Sequence, residues 1–168
     1  MSSQEVSVEP VPSRYLGLGG RGLISCYIND HVPPACGPLG PDNTLLFAPG
    51  LLGGTNLVNT SRIAVGAKSP LTGTIKESNA GGTFGDSAGR LGITAIIIEG
   101  CAPRDQLWLL KVDEDGEARM LSTNEYKGMG TYALTETLFK TYGAQNSIMC
   151  IGPAGEKMLA AASIQSTL

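Results

Sequence analysis

The sequence predicts an α+β fold whose strands pair mostly in antiparallel fashion. Short apolar segments bounded by Gly and Pro recur along the chain, two longer segments have apolar residues at helical spacing, and no strand–helix–strand alternation is sustained. The 168 residues include 23 Gly and 10 Pro, which indicates a single loop-rich domain spanning residues 1–168. Within it, residues 1–13 are expected to form an edge strand at Val6 and Val8 and then an extended arm, because prolines follow.

The first helix is predicted over residues 19–29. Leu23, Ile24, Tyr27 and Ile28 fall on one face, and the Pro-Pro pair at residues 33–34 prevents continuation. His31 follows the predicted end of this helix, where a solvated side chain or a helix-end contact is commoner than a catalytic role.

Strands are predicted next along the chain, at residues 44–48, 62–67, 74–78, 95–99 and 147–151. The uninterrupted apolar run in residues 95–99 favours a fully buried central strand, and the Gly-rich residues 79–92 favour the entry to a short helix. Asp115-Gly116 between two apolar runs predicts a hairpin on which Trp108 packs. A second helix is predicted over residues 131–142, ending at Gly143, whereas residues 158–168 fit a strand or a helix.

Composition limits the classes of function. Hydrophobic residues make up 42% of the chain and charged residues only 16%, which argues against disorder and suggests that a cofactor or partner covers part of the surface. A net charge of -3 disfavours nucleic-acid binding, and no segment is apolar enough to span a membrane. The N-terminus lacks a secretory signal, so a cytoplasmic location is expected. The four cysteines form no C-x-x-C pair and are expected to be free thiols.

Two glycine-rich stretches are candidates for binding a nucleotide or a phosphate. Residues 17–22 spell G-x-G-x-x-G, but the buried strand that a dinucleotide fingerprint needs before it is missing, so these glycines are expected to allow close packing. Further on, Arg62 and Lys68 flank a strand, and Asn79 precedes Gly81-Gly82 at the start of a predicted helix. A guanidinium and glycine-exposed amides can hold a phosphate, although both cations could equally be ordinary surface charges.

The same residues carry a family resemblance. The ordered motifs LLFAPGLLGGT, S-R-x-x-V-x-x-K-S-P-L-T-G, S-N-A-G-G-x-F-G, A-I-I-I-E-G and I-G-P-A-G-E resemble the N-terminal domain of the aldehyde ferredoxin oxidoreductase family, between residues 15 and 166. The resemblance implies two β-sheets from an internal duplication, forming the base that holds a tungsten or molybdenum bis-pyranopterin. It also implies that Arg62 binds a pterin phosphate, that the Asn79 backbone carbonyl binds a bridging Mg²⁺, and that Gly81 lines the pterin. The phosphate-holding pattern adds Lys68 and Gly82 as further predicted cofactor-binding residues.

The sequence departs from the family beyond the I-G-P-A-G-E motif. A second Arg-containing, Gly-rich segment, the 4Fe-4S cysteines and the catalytic carboxylate and His of the family are not found within the 168 residues. The resemblance therefore implies a pterin-binding domain or small subunit that is inactive alone. It would work with catalytic domains or a catalytic chain carrying the cluster, in an enzyme that oxidises aldehydes to carboxylates with ferredoxin as acceptor.

The alternative is a non-catalytic assembly or cofactor-delivery subunit of a larger tungsten enzyme, such as a benzoyl-CoA-reductase-type complex. In either case the uncharged apolar runs at residues 46–58 and 158–164 predict self-association or partner binding.

Overall fold

A computed structural model describes residues 4–103 and 105–168 and confirms the α+β class. The strands are β1 (Thr44–Pro49), β2 (Ile63–Lys68), β3 (Ile75–Ala80), β4 (Ile96–Glu99), β5 (Trp108–Val112), β6 (Ala118–Ser122), β7 (Met149–Ile151) and β8 (Ile164–Ser166). The α-helices are α1 (Gly20–His31), α2 (Phe84–Arg90), α3 (Thr131–Tyr142) and α4 (Pro153–Glu156). A four-stranded antiparallel sheet has the order β3-β2-β1-β4. The described residues also form two separate two-stranded sheets, β5-β6 and β7-β8, which makes three sheets where the resemblance implies two.

The main core lies between α1 and one face of the four-stranded sheet. Ile24 of α1 and Leu46 of β1 are fully buried there. A Cβ at Gly66 of β2 would fall on the Ile24 side chain, so the missing side chain lets the helix approach the sheet closely. The apolar face predicted for the first helix is therefore the face that packs.

The N-terminal segment is anchored to the end of α1, but it forms no strand in residues 4–12. The predicted edge strand is thus wrong: Val8 is 82% exposed and Pro10 and Pro12 cannot donate ladder hydrogen bonds. Tyr15 is buried instead, and its hydroxyl donates to Asp30 Oδ2 at 3.0 Å. The hydrogen bond from Arg14, with a smaller contribution from Tyr15, lowers the Asp30 pKa to about 2.

His31 completes this contact as the last residue of α1. Its Nε2 lies 2.8 Å from the Tyr15 hydroxyl, and its ring packs against Tyr27 with centroids 4.3 Å apart. Since the Tyr15 hydroxyl donates its proton to Asp30, the His31 nitrogen acts as the donor to the Tyr15 oxygen. His31 is therefore a helix-end contact, as expected.

The strand predicted to be central and fully buried lies at the edge of the sheet. Ile96–Glu99 pairs with β1 alone, and Ile97 is 41% exposed. The prediction was wrong because an apolar run indicates only that a strand favours burial. The place of the strand in the sheet depends on which other strands pair with it.

The second half of the chain is less buried than the first. Among the described residues after Gly100, only Thr123 and Leu138 are buried. The predicted hairpin is confirmed: Gly116 has φ 82° and its amide donates to the Asp113 carbonyl at 3.1 Å. Trp108 begins the hairpin, half-buried, with an indole N–H that is buried and has no partner among the described residues.

Candidate functional site

Three strand ends meet where the candidate residues lie. Because β1, β2 and β3 are antiparallel, Pro49 ends β1 opposite Ile63, which begins β2, and Ala80 ends β3 opposite the same Ile63. We call this the site end of the sheet. Arg62, Asn79, Gly81 and Gly82 all lie within three residues of that register, so the fold brings together four of the five predicted site residues.

Arg62 is fixed through its backbone and exposed through its side chain. Its carbonyl accepts a hydrogen bond from the Gly50 amide at 3.2 Å. Its guanidinium has no hydrogen-bond or ion-pair partner among the described residues, and the residue is exposed. A cation held at its Cα with no internal partner can bind an external anion.

Asn79 lies in β3, opposite Ala64 of β2 and therefore on the sheet face that α1 covers. Its side-chain amide donates to Glu77, which in turn forms an ion pair with Arg21 of α1 at 3.0 Å. Since β3 is an edge strand, alternate carbonyls point away from β2. A backbone carbonyl of this strand can bind a metal ion only if it points away from β2 in this way.

The Gly-Gly pair after β3 contains one open and one tightly packed residue. Gly81 has nothing within 4 Å of a built Cβ, whereas a Cβ on Gly82 would fall on the Thr167 carbonyl oxygen near the end of the chain. Gly82 also has φ +101°, a conformation that side chains rarely adopt. The turn therefore requires glycine at residue 82 and leaves the backbone of residue 81 accessible.

The helix that follows packs on the site end through glycines. A Cβ on Gly85 of α2 would meet the backbone of Ser61 and Arg62, and a Cβ on Gly89 would meet that of Gly53 and Gly54. The spacing of four residues places both glycines on one helix face. This face holds α2 against residues 53–62 and thereby fixes the backbone next to Arg62.

Lys68 lies at the opposite end of β2. It pairs with Ile75 in the β2–β3 register, and its ammonium group donates to the carbonyls of Pro34 and Cys36, the latter at 2.7 Å. The fold thus separates Lys68 from the other four candidates. These contacts give it a structural part in holding the turn after α1.

A cleft of about 440 Å³ opens beside the site end, between the loop of residues 55–61 and α2. Its wall includes Gly82, Thr83 and the ion pair between Asp86 and Arg90, whose nitrogen and oxygen are 2.8 Å apart. Sequence reasoning missed this cleft. The only local indication was the Asp-Arg pair at i,i+4 after the Gly-Gly turn, and the loop that faces it comes from a distant part of the sequence.

The G-x-G-x-x-G stretch serves close packing at Gly19, as expected, but not at Gly17 or Gly22, which have nothing within 4 Å of a built Cβ. A Cβ on Gly19 would clash with the Leu51 amide and approach the Pro49 carbonyl, so this glycine lets the start of α1 contact the loop after β1. A smaller cleft of about 200 Å³ lies at this contact and is lined by several glycines. No ionisable side chain lines it in the described part of the chain.

Within residues 4–103 and 105–168, no group of three or more His, Cys, Asp or Glu side chains is placed to hold a metal ion. Cys26, Cys36 and Cys150 are free thiols, and burial raises the pKa of the Cys150 thiol. None of the described helices has the length and apolar character needed to cross a membrane.

Comparison with known proteins settles the family. The sequence profile of "Aldehyde ferredoxin oxidoreductase, N-terminal domain" matches residues 1–168. The chain belongs to this family. Two curated relatives are named tungsten-containing aldehyde ferredoxin oxidoreductase: that of Pyrococcus furiosus is 36% identical over 89% of this chain, and that of Thermococcus kodakarensis is 32% identical over 99%. The chain covers 24% and 27% of their respective lengths.

A solved structure agrees with the aldehyde ferredoxin oxidoreductase family assignment. The active-site complex BamBC of benzoyl coenzyme A reductase, in complex with 1,5-dienoyl-CoA, contains a chain similar to this one with a TM-score of 0.85 and 31% identity. The match covers 95% of this chain and 24% of that chain. The resemblance drawn from the five motifs is thus confirmed, and the family's tungsten-containing relatives imply a tungsten pterin cofactor in the family.

The residues at the site end fit the phosphate-bearing part of such a cofactor. Arg62 supplies a cation without an internal partner among the described residues, and Gly81 leaves the backbone after β3 open. A phosphate needs this combination of a guanidinium and close backbone approach.

Proposed function

We propose that this chain is the pterin-binding N-terminal domain or small subunit of a tungsten- or molybdenum-dependent oxidoreductase. One observation supports this most directly: Arg62, Asn79, Gly81 and Gly82 lie together at the site end, beside an open cleft, in a chain whose family is shown. The bound bis-pyranopterin would supply the two-electron chemistry, and the chain would orient it.

Each site residue has a separate part in this proposal. Arg62 binds a pterin phosphate, and the backbone carbonyl of Asn79 ligates the Mg²⁺ that bridges the two pterin phosphates. Gly81 lets the cofactor approach the backbone after β3, and Gly82 fixes the turn that exposes this backbone. Lys68 was predicted as a further cofactor ligand, and its carbonyl contacts favour a structural part instead.

The reaction proposed is oxidation of an aldehyde to a carboxylate with ferredoxin as electron acceptor, in the cytoplasm. The 4Fe-4S cluster and the catalytic side chains would come from further domains or a partner chain, since this chain covers about a quarter of its relatives, 24% to 27%. The 168 residues alone are therefore expected to be inactive, and viologen-linked aldehyde oxidation by the pure polypeptide would overturn that part of the proposal.

A second candidate is supported by the similarity to the benzoyl coenzyme A reductase complex. In that alternative the chain serves a tungsten enzyme acting on an aromatic acyl-CoA, or assists assembly and cofactor delivery without catalysing a step. Assaying the complex purified from its host with aldehydes and with benzoyl-CoA separates the two activities, and cofactor without either activity supports the assembly role.

The test of cofactor binding is Arg62→Ala in that complex. Loss of a charge-assisted phosphate contact should weaken cofactor binding by about 1.5 to 3 kcal/mol, so pterin and tungsten contents should fall while the melting temperature stays near that of the wild type. Arg119→Ala is the matched control, because Arg119 is an exposed arginine of the β5–β6 hairpin. Unchanged pterin and tungsten in Arg62→Ala, together with early melting, would identify Arg62 as a structural residue.

A further inference from the structure

The segments that lead into α1 and α3 share one sequence pattern and one backbone path. The pattern Tyr-x-Gly-x-Gly occurs at residues 15–19 and again at residues 126–130. Each tyrosine ends a one-turn 3-10 helix, Ser13–Tyr15 or Asn124–Tyr126, and the last glycine of each motif is the N-cap of a 12-residue α-helix. The middle glycine has a positive φ in both motifs, 75° in the first and 80° in the second. The two segments are therefore structural equivalents.

The equivalence extends to the far end of each α-helix. The Tyr15 hydroxyl lies 2.8 Å from Nε2 of His31, the last residue of α1. At the corresponding place Tyr126 interacts with Tyr142, the last residue of α3. We call residues 13–31 the first unit and residues 124–142 the second unit.

Only the second unit is preceded by a paired strand. There β6 ends two residues before the 3-10 helix and pairs with β5. Residues 7–11 hold the same positions before the first unit, but no described strand pairs with them. Val6 and Val8 are 41% and 82% exposed, and their backbone groups form no hydrogen bond with any described residue. An extended backbone of this kind is open to a further strand.

The hydrogen bonds of the hairpin show which residues would face that further strand. The Asp113 amide donates to the Glu117 carbonyl at 3.0 Å, and the Thr123 amide donates to the Leu107 carbonyl at 3.2 Å. Every second residue of β6, counted from Glu117, therefore faces β5. The equivalents before the first unit are Val6, Val8, Pro10 and Pro12. Since proline has no N–H group, a ladder with donors on this segment is limited to residues 5–9.

The side chains of residues 5–9 define the chemistry of the partner. In an extended strand Val6 and Val8 lie on one face, and Glu5 and Glu9 lie on the other. Neither glutamate forms an ion pair within the described part of the chain, and Glu9 accepts a hydrogen bond from the Ser7 hydroxyl at 3.3 Å. Cross-strand pairs of opposite charge are stabilising. A strand that alternates apolar residues with Lys or Arg therefore fits both faces.

A second copy of the same segment fits less well. Antiparallel pairing centred on Ser7 would place Glu5 of one copy opposite Glu9 of the other. Like charges directly opposite each other are destabilising in a sheet. The charges thus favour a basic strand from a different chain.

We propose that residues 5–9 bind, by strand addition, an extended segment of another chain in which apolar residues alternate with Lys or Arg. The backbone of Val6 and Val8 supplies the ladder hydrogen bonds, and Glu5 and Glu9 select a basic partner. The contact between Tyr15 and Asp30 anchors the segment to α1, so the added strand lies beside the core. This interaction is independent of cofactor binding at the site end.

The test uses the 168-residue chain and three fluorescein-labelled peptides. The probe is Lys-Val-Lys-Val-Lys-Val-Lys, the charge-reversed control is Glu-Val-Glu-Val-Glu-Val-Glu, and the composition control is Lys-Lys-Lys-Lys-Val-Val-Val. Fluorescence anisotropy measures binding, and hydrogen exchange measures protection of residues 5–9. The alternating basic peptide should bind most tightly and slow the exchange of the Val6 and Val8 amides, whereas the other two should do neither.

Two proline variants test the direction of the ladder. Val8→Pro removes a donor that faces the added strand and should weaken probe binding about fivefold or more. Ser7→Pro removes a donor that faces away from it, so affinity should stay within about twofold of the wild type. Thermal melting verifies the fold, which should be unchanged because both residues are exposed.

A charge variant tests the choice of partner. The double substitution Glu5→Gln and Glu9→Gln should weaken probe binding about fivefold, since two cross-strand charge pairs are lost. The matched control, Glu114→Gln with Asp115→Asn, removes two exposed acids from the tip of the β5–β6 hairpin and should leave binding unchanged.

Four results would overturn the proposal. They are no binding of the probe by the folded wild-type chain, equal binding of the charge-reversed peptide, equal binding of the composition control, and equal losses in Val8→Pro and Ser7→Pro. Equal binding of the composition control would indicate plain electrostatic attraction. A lower mass of the chain by light scattering in Val8→Pro, without any probe binding by the wild type, would assign residues 5–9 to self-association instead. None of these results bears on pterin and tungsten contents, by which the proposed function is judged.

Discussion

Single residues at the site end are constrained in opposite ways. Arg62 is exposed and has no internal partner among the described residues, so its side chain contributes little to the stability of the chain by itself. Gly82 has no side chain, yet its backbone conformation and its contact with Thr167 fix the turn after β3. Substitutions at these positions should therefore separate binding from folding.

Gly82→Ala should destabilise the fold. A Cβ would fall on the Thr167 carbonyl oxygen, and the residue would have to keep φ +101°. A left-handed or rarer conformation costs a non-glycine residue about 1 to 3 kcal/mol, before any clash is relieved. Urea unfolding measures the change in the free energy of unfolding.

Its control is the neighbouring Gly81→Ala. Nothing lies within 4 Å of a Cβ built at Gly81, and that residue is exposed. The change in stability there should stay within about 0.5 kcal/mol. If both variants unfold at the same urea concentration, the Gly82 turn does not constrain the fold.

At the scale of elements, α2 connects the turn to the loops. With seven residues it is too short to be stable as an isolated helix, so its place depends on packing. The packing uses Gly85 and Gly89 against two loop backbones, and Ala88 is buried beside them. The same helix supplies Asp86 and Arg90 to the cleft, so its packing fixes the position of that wall.

Gly89→Ala should lower stability, although alanine is normally the better helix residue. A Cβ there would fall on the Gly53 carbonyl, forcing α2 away from the loop at a cost of about 1 to 3 kcal/mol. Thermal and urea unfolding measure this loss. Stabilisation of Gly89→Ala would show that α2 packs less closely than described.

The matched control lies in α1. Gly22 is exposed and has nothing within 4 Å of a built Cβ. Gly22→Ala should therefore raise stability by about 0.5 to 1 kcal/mol, the usual gain from replacing glycine within a helix. Opposite signs at the two helical glycines identify close packing as the cause.

At the scale of the whole molecule, burial is concentrated in one half. The main core consists of side chains from the N-terminal segment, α1, β1 and β2, whereas the second half of the chain has few buried side chains among the described residues. Exposed apolar side chains occur in both halves, including Leu51, Leu52, Met158 and Leu159, which are 51% to 62% exposed. Surfaces of this kind usually mark contacts with another protein surface.

The isolated chain should therefore self-associate or bind a partner chain. Light scattering at low micromolar concentration should report a mass above that of the 17.4 kDa monomer, and a hydrophobic dye should bind. The double substitution Leu52→Asn and Leu159→Asn should shift the chain towards the monomer. Val8→Ser, which removes an exposed apolar side chain from the N-terminal segment, is the control. A clean wild-type monomer that binds no dye would contradict the prediction.

Local physical rules allowed several elements to be predicted from the sequence. The second predicted helix coincides with α3 (Thr131–Tyr142), because its apolar spacing and Gly143 are both local signals. Asp115-Gly116 specified the hairpin for the same reason. The edge position of Ile96–Glu99 was missed because strand order depends on pairing between distant segments.

The sequence by itself determined the fold class, the family and four of the residues that gather at the site end, since motif order and turn chemistry are properties of neighbouring residues. Tertiary structure alone separated Lys68 from the other candidates and placed its ammonium group on the turn after α1. It also created the cleft, where the loop of residues 55–61 faces Asp86 and Arg90. A cleft forms between segments that only packing brings together, so no local pattern in the sequence specifies it.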